Sequence, residues 1–172
     1  KAEAVTNLHF PASHELRVRA RKTLAVEELY FLQLAVARRA ALRTAQARNP
    51  LPDAMALQEE AVRRLPFELT DDQRRSLAEI AADLRSARPM ARLLQGDVGS
   101  GKTLVALLAA LSPIEHGRQV AFMAPTELLA RQHAETAARL LEPLGVQIGL
   151  LTGNSPSRQE LLAALSRGDV QL

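Results

Sequence analysis

Gly96-Asp97-Val98-Gly99-Ser100-Gly101-Lys102-Thr103 is the stretch whose reading decides the fold. It matches G-x-x-x-x-G-K-[ST] in full, with an apolar run (90–95) before it and a helix-forming run (102–111) after it. Glycines at 96, 99 and 101 let the backbone turn tightly and aim its N–H groups at phosphate oxygens. The start of the following helix adds the positive end of its dipole. Lys102 then reaches terminal phosphates as a point charge, and the Thr103 hydroxyl is a ligand for Mg²⁺. A chance Gly-rich turn at a helix start is the alternative, and pattern and context together leave it little room.

Working outward, helices alternate with short apolar runs. The spacing predicts a helix from Thr70 to about Ser86, a strand at 90–95, and a helix at 102–111. A strand at 120–124, a helix at 126–141 and a strand at 146–151 follow. Ser157 and Glu160 read as a capping box for one more helix, which Gly168 closes before a fourth strand begins at 169. Alternation with short connections predicts an α/β fold with a parallel sheet and crossover helices. Because the last residues read as the opening of a strand, the stretch is expected to be part of a larger domain.

Toward the N-terminus the pattern changes. Ser13 can cap a helix that has Glu15 in its first turn, and 24–47 contains neither Gly nor Pro. Leu29, Leu32, Val36 and Ala40 form one apolar stripe there, with Phe31, Leu34, Ala35 and Leu42 beside it, so the helix should pack on something. Asn49-Pro50-Leu51-Pro52 breaks it, and a short helix to about Arg64 follows. The expected division is therefore a helical segment, 1–65, and an α/β segment, 66–172.

Of the 172 residues, 47% are apolar and 24% charged, a globular rather than a disordered profile. No apolar run approaches the roughly 20 residues that span a bilayer, and no export signal is evident. A cytoplasmic location is the default expectation. The net charge of +3 is unevenly spread: 1–65 holds eleven Lys/Arg against seven Asp/Glu, while 66–172 holds eleven against twelve. A basic front segment can lie on phosphates or simply be a solvated helix face. The four histidines lack metal-ligand spacing.

Three further places invite two readings each. The Gln73 amide can read an adenine edge with Phe67 packed on the base, or Gln73 can only close a capping box with Thr70. Thr126, after Pro125 at the carboxyl end of the second strand, can hold a nucleic-acid phosphate or merely cap its helix. The Thr152-Gly153-Asn154 turn, after the third strand, has the same two readings.

The residues 90–103, Met-Ala-Arg-Leu-Leu-Gln followed by the glycine loop, closely resemble motif I of the RecG family of bacterial helicases, superfamily 2 DNA translocases. Leu65-Pro66-Phe67-Glu68-Leu69-Thr70 with Gln73 is similar to the family's adenine-side motif. Met123-Ala124-Pro125-Thr126-Glu127 through His133 is similar to its motif Ia, and Leu150-Leu151-Thr152-Gly153 to the segment that follows. Leu8-His9-Phe10-Pro11 and 24–29 resemble the helical linker before the motor. The motor of the transcription-repair coupling factor shares Gly-Asp-Val-Gly and Gly-Lys-Thr, but the Met-Ala-Pro-Thr-Glu and Leu-Thr-Gly blocks favour the first family.

The resemblance implies a partial RecA-like parallel sheet at 66–172, the N-terminal part of the first motor domain, preceded by an α-helical linker. It implies that ATP is held by Gly96, Asp97, Val98, Gly99, Ser100, Gly101, Lys102 and Thr103, with Phe67 and Gln73 as nucleotide contacts. Lys102 and Thr103 are then the catalytic residues, Thr103 meeting Mg²⁺ through ATP. Pro125, Thr126, Thr152 and Gly153 become contacts to the DNA backbone. The implied partner is branched DNA (replication forks and Holliday junctions), with no membrane, and a monomer is expected. The family's Asp-Glu-x-His box, second motor domain and arginine finger have no counterpart in these residues. Taken alone, the stretch is then a nucleotide-binding or interaction module without catalysis.

Overall fold

A computed structural model of the chain describes residues 1–45, 47–153, 155 and 157–172. Gln46, inside the expected long helix, and Asn154, in the expected turn, lie outside the described residues. Two compact units result, Lys1–Ala47 and Arg48–Leu172. The division groups the short helix after the Pro50–Pro52 break with the second unit, whereas the sequence pattern groups it with the first.

The first unit is two helices, α1 (Ala2–His9) and α2 (His14–Thr44). The Ser13 hydroxyl accepts the Leu16 N–H at 3.2 Å, so α2 starts where that cap predicts. It then continues unbroken through residue 24, because 14–23 contains no Gly or Pro to stop it. α1 packs along α2, with Ala20 buried and Lys1 paired to Glu27 at 2.5 Å. The apolar stripe of α2 stays exposed: Leu29, Tyr30, Phe31, Leu32, Leu34 and Val36 all remain more than half accessible. α1, at 8 residues, is too short to cover it.

The second unit is organised around α5 (Lys102–Glu115), which is apolar on all sides and therefore buried. Leu107, Leu108 and Leu111 are fully enclosed. α3 (Ala56–Arg63) and α4 (Asp71–Leu84) pack against it. α6 (Glu127–Leu141) contributes Ala137 and Leu141 to the same core. α7 (Arg158–Arg167) completes the helices. α5 runs past Leu111 and takes Pro113 into its last turn.

Caps fix the helix ends. The Glu115 carboxylate accepts the Ala56 and Leu57 N–H groups at 3.2 and 3.3 Å, holding the start of α3 to the end of α5. The Arg48 guanidinium donates to the Asp83 carbonyl at 3.0 Å and to that of Leu84, covering the carbonyl end of α4. The Ser157–Glu160 capping box does not form. Ser157 sits at φ −102°, ψ 33° rather than in the extended region, which turns its hydroxyl off the N3 amide.

The expected parallel sheet does not appear as such: among the described residues no β-strand is formed. Residues 169–172 do lie between two other segments. Val120 N–H donates to the Gln171 carbonyl at 2.8 Å, and Gln171 N–H to that of Gln147 at 3.0 Å. Leu172 N–H also reaches Gln147 O at 3.2 Å, and Gly149 N–H reaches Leu172 O at 2.8 Å, bracketing Ile148. Among the described residues these are the backbone bonds that join the three segments. Residues 90–95 and 121–124 make no backbone bond to another such segment among the described residues, and Leu93 and Met123 are 85% and 91% exposed. Side chains hold 90–95 in place: Leu94 packs against the core, and Arg92 reaches Asp83 on α4 at 2.8 Å and pairs with Glu79 as well.

Candidate functional site

The Gly-rich loop lies between the starts of α4 and α5. Gly99 and Gly101 take left-handed φ values of +83° and +81°, which explains glycine at both. Gly101 is the N-cap of α5; it supplies no capping side chain, and the first turn of the helix carries no acid. The positive end of a buried 14-residue helix is therefore uncapped and unneutralised, as an anion site requires. Lys102 Nζ donates to the carbonyls of Gly96 and Asp97 at 2.8 and 2.6 Å, so the ammonium is folded back over the loop. The Thr103 hydroxyl, half-buried one residue on, has no hydrogen bond within the protein among the described residues.

Gln73 settles one of the open readings in part. Thr70 Oγ1 accepts the Gln73 N–H at 3.3 Å and Gln73 Oε1 accepts the Thr70 N–H at 3.0 Å, a complete capping box. The same side chain also donates from Nε2 to the Ser100 carbonyl at 3.0 Å, joining the start of α4 to the phosphate loop. One N–H of Nε2 and one lone pair of Oε1 remain free.

A cleft of about 360 Å³ runs between these elements, walled by Asp72, Gln73, Ser76, Asp97, Ser100 and Lys102 among others. Asp72 and Ser76 were not singled out from sequence; both flank Gln73 on the first turns of α4, and only that placement reveals them. Phe67 is 55% exposed and is not on the cleft wall. A larger cavity, about 410 Å³, opens between residues 120–124, 148–151 and helices α6 and α7. Its lining side chains are apolar apart from His133 and none comes from the Gly-rich loop, whereas the smaller cleft holds the converging polar groups.

Thr126 caps α6 by accepting the Leu129 N–H at 3.3 Å, and Pro125 and Thr126 are both exposed. Thr152 differs: its side chain is buried, 8% accessible, with Oγ1 3.2 Å from Ser155 Oγ. The Ser155 hydroxyl also accepts the Thr152 N–H at 2.7 Å, so this serine, unremarked in the sequence, shapes the turn. Gly153 is exposed. The described residues contain no group of acids, histidines or cysteines that would hold a metal by itself, and no helix long and apolar enough to cross a membrane.

Residues 70–172, which include the loop, Gln73 and both threonines, match the DEAD/DEAH box helicase family. The chain is 44% identical to the ATP-dependent DNA helicase RecG of Treponema pallidum, over 100% of this chain and 27% of that protein. It is 46% identical to the one of Borreliella burgdorferi, over 97% and 24%. A solved structure of RecG bound to a three-way DNA junction superposes with a TM-score of 0.79 at 41% identity, covering 94% of this chain and 22% of that one. The chain thus spans about a quarter of the length of the relatives it matches. With the family match, the helicase-type fold and the uncapped phosphate loop in agreement, the chain belongs to the DEAD/DEAH box helicase family.

Proposed function

We propose that the chain is part of an ATP-dependent DNA helicase of the RecG type, one that remodels branched DNA such as stalled forks and Holliday junctions. Residues 66–172 form the N-terminal part of its first motor domain and 1–65 a helical linker before it. The observation that carries the reading is the uncapped N-terminus of α5 beside Lys102, with Gln73 reaching in from α4. Similarity to RecG along the whole chain supports the DNA side.

In this reading the loop amides and Lys102 hold the phosphates of ATP. Lys102 Nζ leaves the Gly96 and Asp97 carbonyls for a phosphate oxygen, exchanging two neutral acceptors for a charged one. Thr103, with its hydroxyl uncommitted, would hold Mg²⁺, which neutralises charge on the phosphates. The free donor and acceptor of Gln73 match the N7 and amino edge of adenine, so capping and base reading coexist in one side chain. The exposed Pro125, Thr126 and Gly153 face DNA through backbone groups and one hydroxyl. The short pairing around Ile148 supports a RecA-like parallel sheet for the four apolar segments. We place the protein in the cytoplasm, as a monomer.

The test is unwinding of a labelled three-way junction by the full-length protein, with linear duplex as control. Junction unwinding that requires ATP, with the linear duplex left intact, is expected; equal action on both, or none, refutes the branched-DNA reading.

A further inference from the structure

We propose that Arg92 is a positioning residue for the phosphate loop: by binding Asp83 and Glu79 it clamps the segment leading into the loop to α4. The inference rests on the loop being a nucleoside triphosphate site, and it assigns a task to a residue that is not on the cleft wall. Residues 94–97 line the cleft, and so do Asp72, Gln73 and Ser76 of α4. Asp72, Ser76, Glu79 and Asp83 follow one another at steps of four, three and four residues, so they share one face of the helix. The face that lines the cleft therefore carries both carboxylates farther along, just as Arg92 stands two residues before Leu94 on the other wall. Arg92 joins the walls where they leave the cleft: Nε donates to Asp83 at 2.8 Å, and a terminal guanidinium nitrogen donates to Glu79. Among the described residues neither carboxylate has another cation.

The clamp matters most once a phosphate is bound. Lys102 Nζ holds the Gly96 and Asp97 carbonyls at 2.8 and 2.6 Å, and a phosphate oxygen that draws the ammonium away releases both. Gln73 holds only the far end of the loop, at Ser100. Residues 90–95 have no backbone bond to a neighbouring segment, and Leu93 faces solvent. The packing of Leu94 and the Arg92 pairs then keep the loop entry against α4. The anchor is itself fixed, because the Arg48 guanidinium holds the Asp83 carbonyl at 3.0 Å. Arginine suits the position: its planar fork meets two carboxylates at once, whereas a lysine ammonium is a single point. The three side chains are a third to a half exposed, so their pairing adds little to global stability. Its effect falls on the loop, whose freedom must be given up on binding.

The experiment approaches the clamp from both sides. Binding of inorganic tripolyphosphate and ATP to the full-length protein is measured by calorimetry, in salt that screens distant charge. KM and kcat for ATP come from turnover with a DNA junction present. Arg92→Gln removes the cation; Glu79→Gln with Asp83→Asn removes both carboxylates and leaves the arginine. Each should lose about threefold to tenfold in tripolyphosphate affinity and raise KM for ATP alike, with kcat within about twofold and the unfolding temperature near wild type. Joining all three substitutions should cost no more than either set alone, and Arg92→Lys should recover part of the loss. Tripolyphosphate bound as tightly as by wild type in either folded variant overturns the clamp. So does a gain in affinity when the carboxylates are removed, which would mark Arg92 as acting by its own charge. Additive losses, or a fall in kcat at unchanged affinity, overturn it too. A wild-type protein that binds neither probe overturns the nucleotide site itself.

Discussion

Replacing Gly101 by alanine probes the site at its tightest point. A left-handed conformation costs an L-residue about 1–2 kcal/mol relative to glycine, and Gly101 stands at φ +81°. The added Cβ would also lie 2.5 Å from Gln73 Nε2, so the amide must withdraw and release the Ser100 carbonyl. A neutral hydrogen bond of this kind contributes about 1 kcal/mol. Together these make the competent loop about 2–3 kcal/mol harder to reach, which lowers apparent nucleotide affinity roughly 30- to 150-fold. Gly99→Ala is the internal reference. Its φ is +83°, but no atom lies within 4 Å of where a Cβ would stand, so it carries the backbone term alone. ATP titration of both variants and wild type, with unfolding temperatures measured alongside, should rank Gly101→Ala below Gly99→Ala by about fivefold. Equal losses would refute a role for the Gln73 contact, and a Gly101→Ala protein within threefold of wild type would refute the loop geometry altogether.

Other perturbations test the scaffold. At Gly149 a Cβ would meet Leu161 Cδ1 at 2.6 Å and Val170 Cγ1 at 3.0 Å, so Gly149→Ala should destabilise the second unit by about 1–3 kcal/mol through overpacking, read by denaturant unfolding; an unchanged midpoint contradicts the packing. Arg48→Ala uncovers the carbonyl end of α4 and should cost about 1–2 kcal/mol in the same assay, with Arg48→Lys recovering only part. The Arg64 and Arg63 guanidiniums hold the Glu60 carboxyl below its ordinary range. Its contribution is therefore present at neutral pH and lost as pH falls through the depressed folded-state value. Glu60→Gln should unfold at lower temperature than wild type at neutral pH, with the gap closing in acid; a gap independent of pH rules the ion pairs out.

What the sequence disclosed was local. The Gly-rich loop, the Thr70–Gln73 box and the Thr126 cap each involve residues within one or two turns, and each is found where the pattern put it. What it hid depends on distance along the chain. The Gln73 bond to Ser100 spans 27 residues, and Arg48 meets α4 carbonyls 35 residues on, so neither leaves a mark in any short window. The sheet is seen only in part for a related reason: apolar runs announce candidate strands, but backbone pairing needs a partner alongside, and among the described residues it is confined to the neighbourhood of Ile148. Thr152 shows the limit for site residues. A threonine after an apolar run looks available, and only the Ser155 hydroxyl beside it shows that its side chain is turned inward. The apolar residues of α2 were legible as a face, yet α1 is too short to cover them.

The central claim is that Lys102 at the start of α5 holds the phosphates of ATP for a DNA-driven motor. Its most direct test is ATP turnover by the full-length protein with and without a DNA junction, comparing wild type with a Lys102→Ala variant of equal unfolding temperature. Removing an ammonium that stabilises transferring phosphate should lower junction-stimulated turnover by at least about 100-fold. Turnover in the variant within a few-fold of wild type, or wild-type turnover that ignores the junction, would contradict the account.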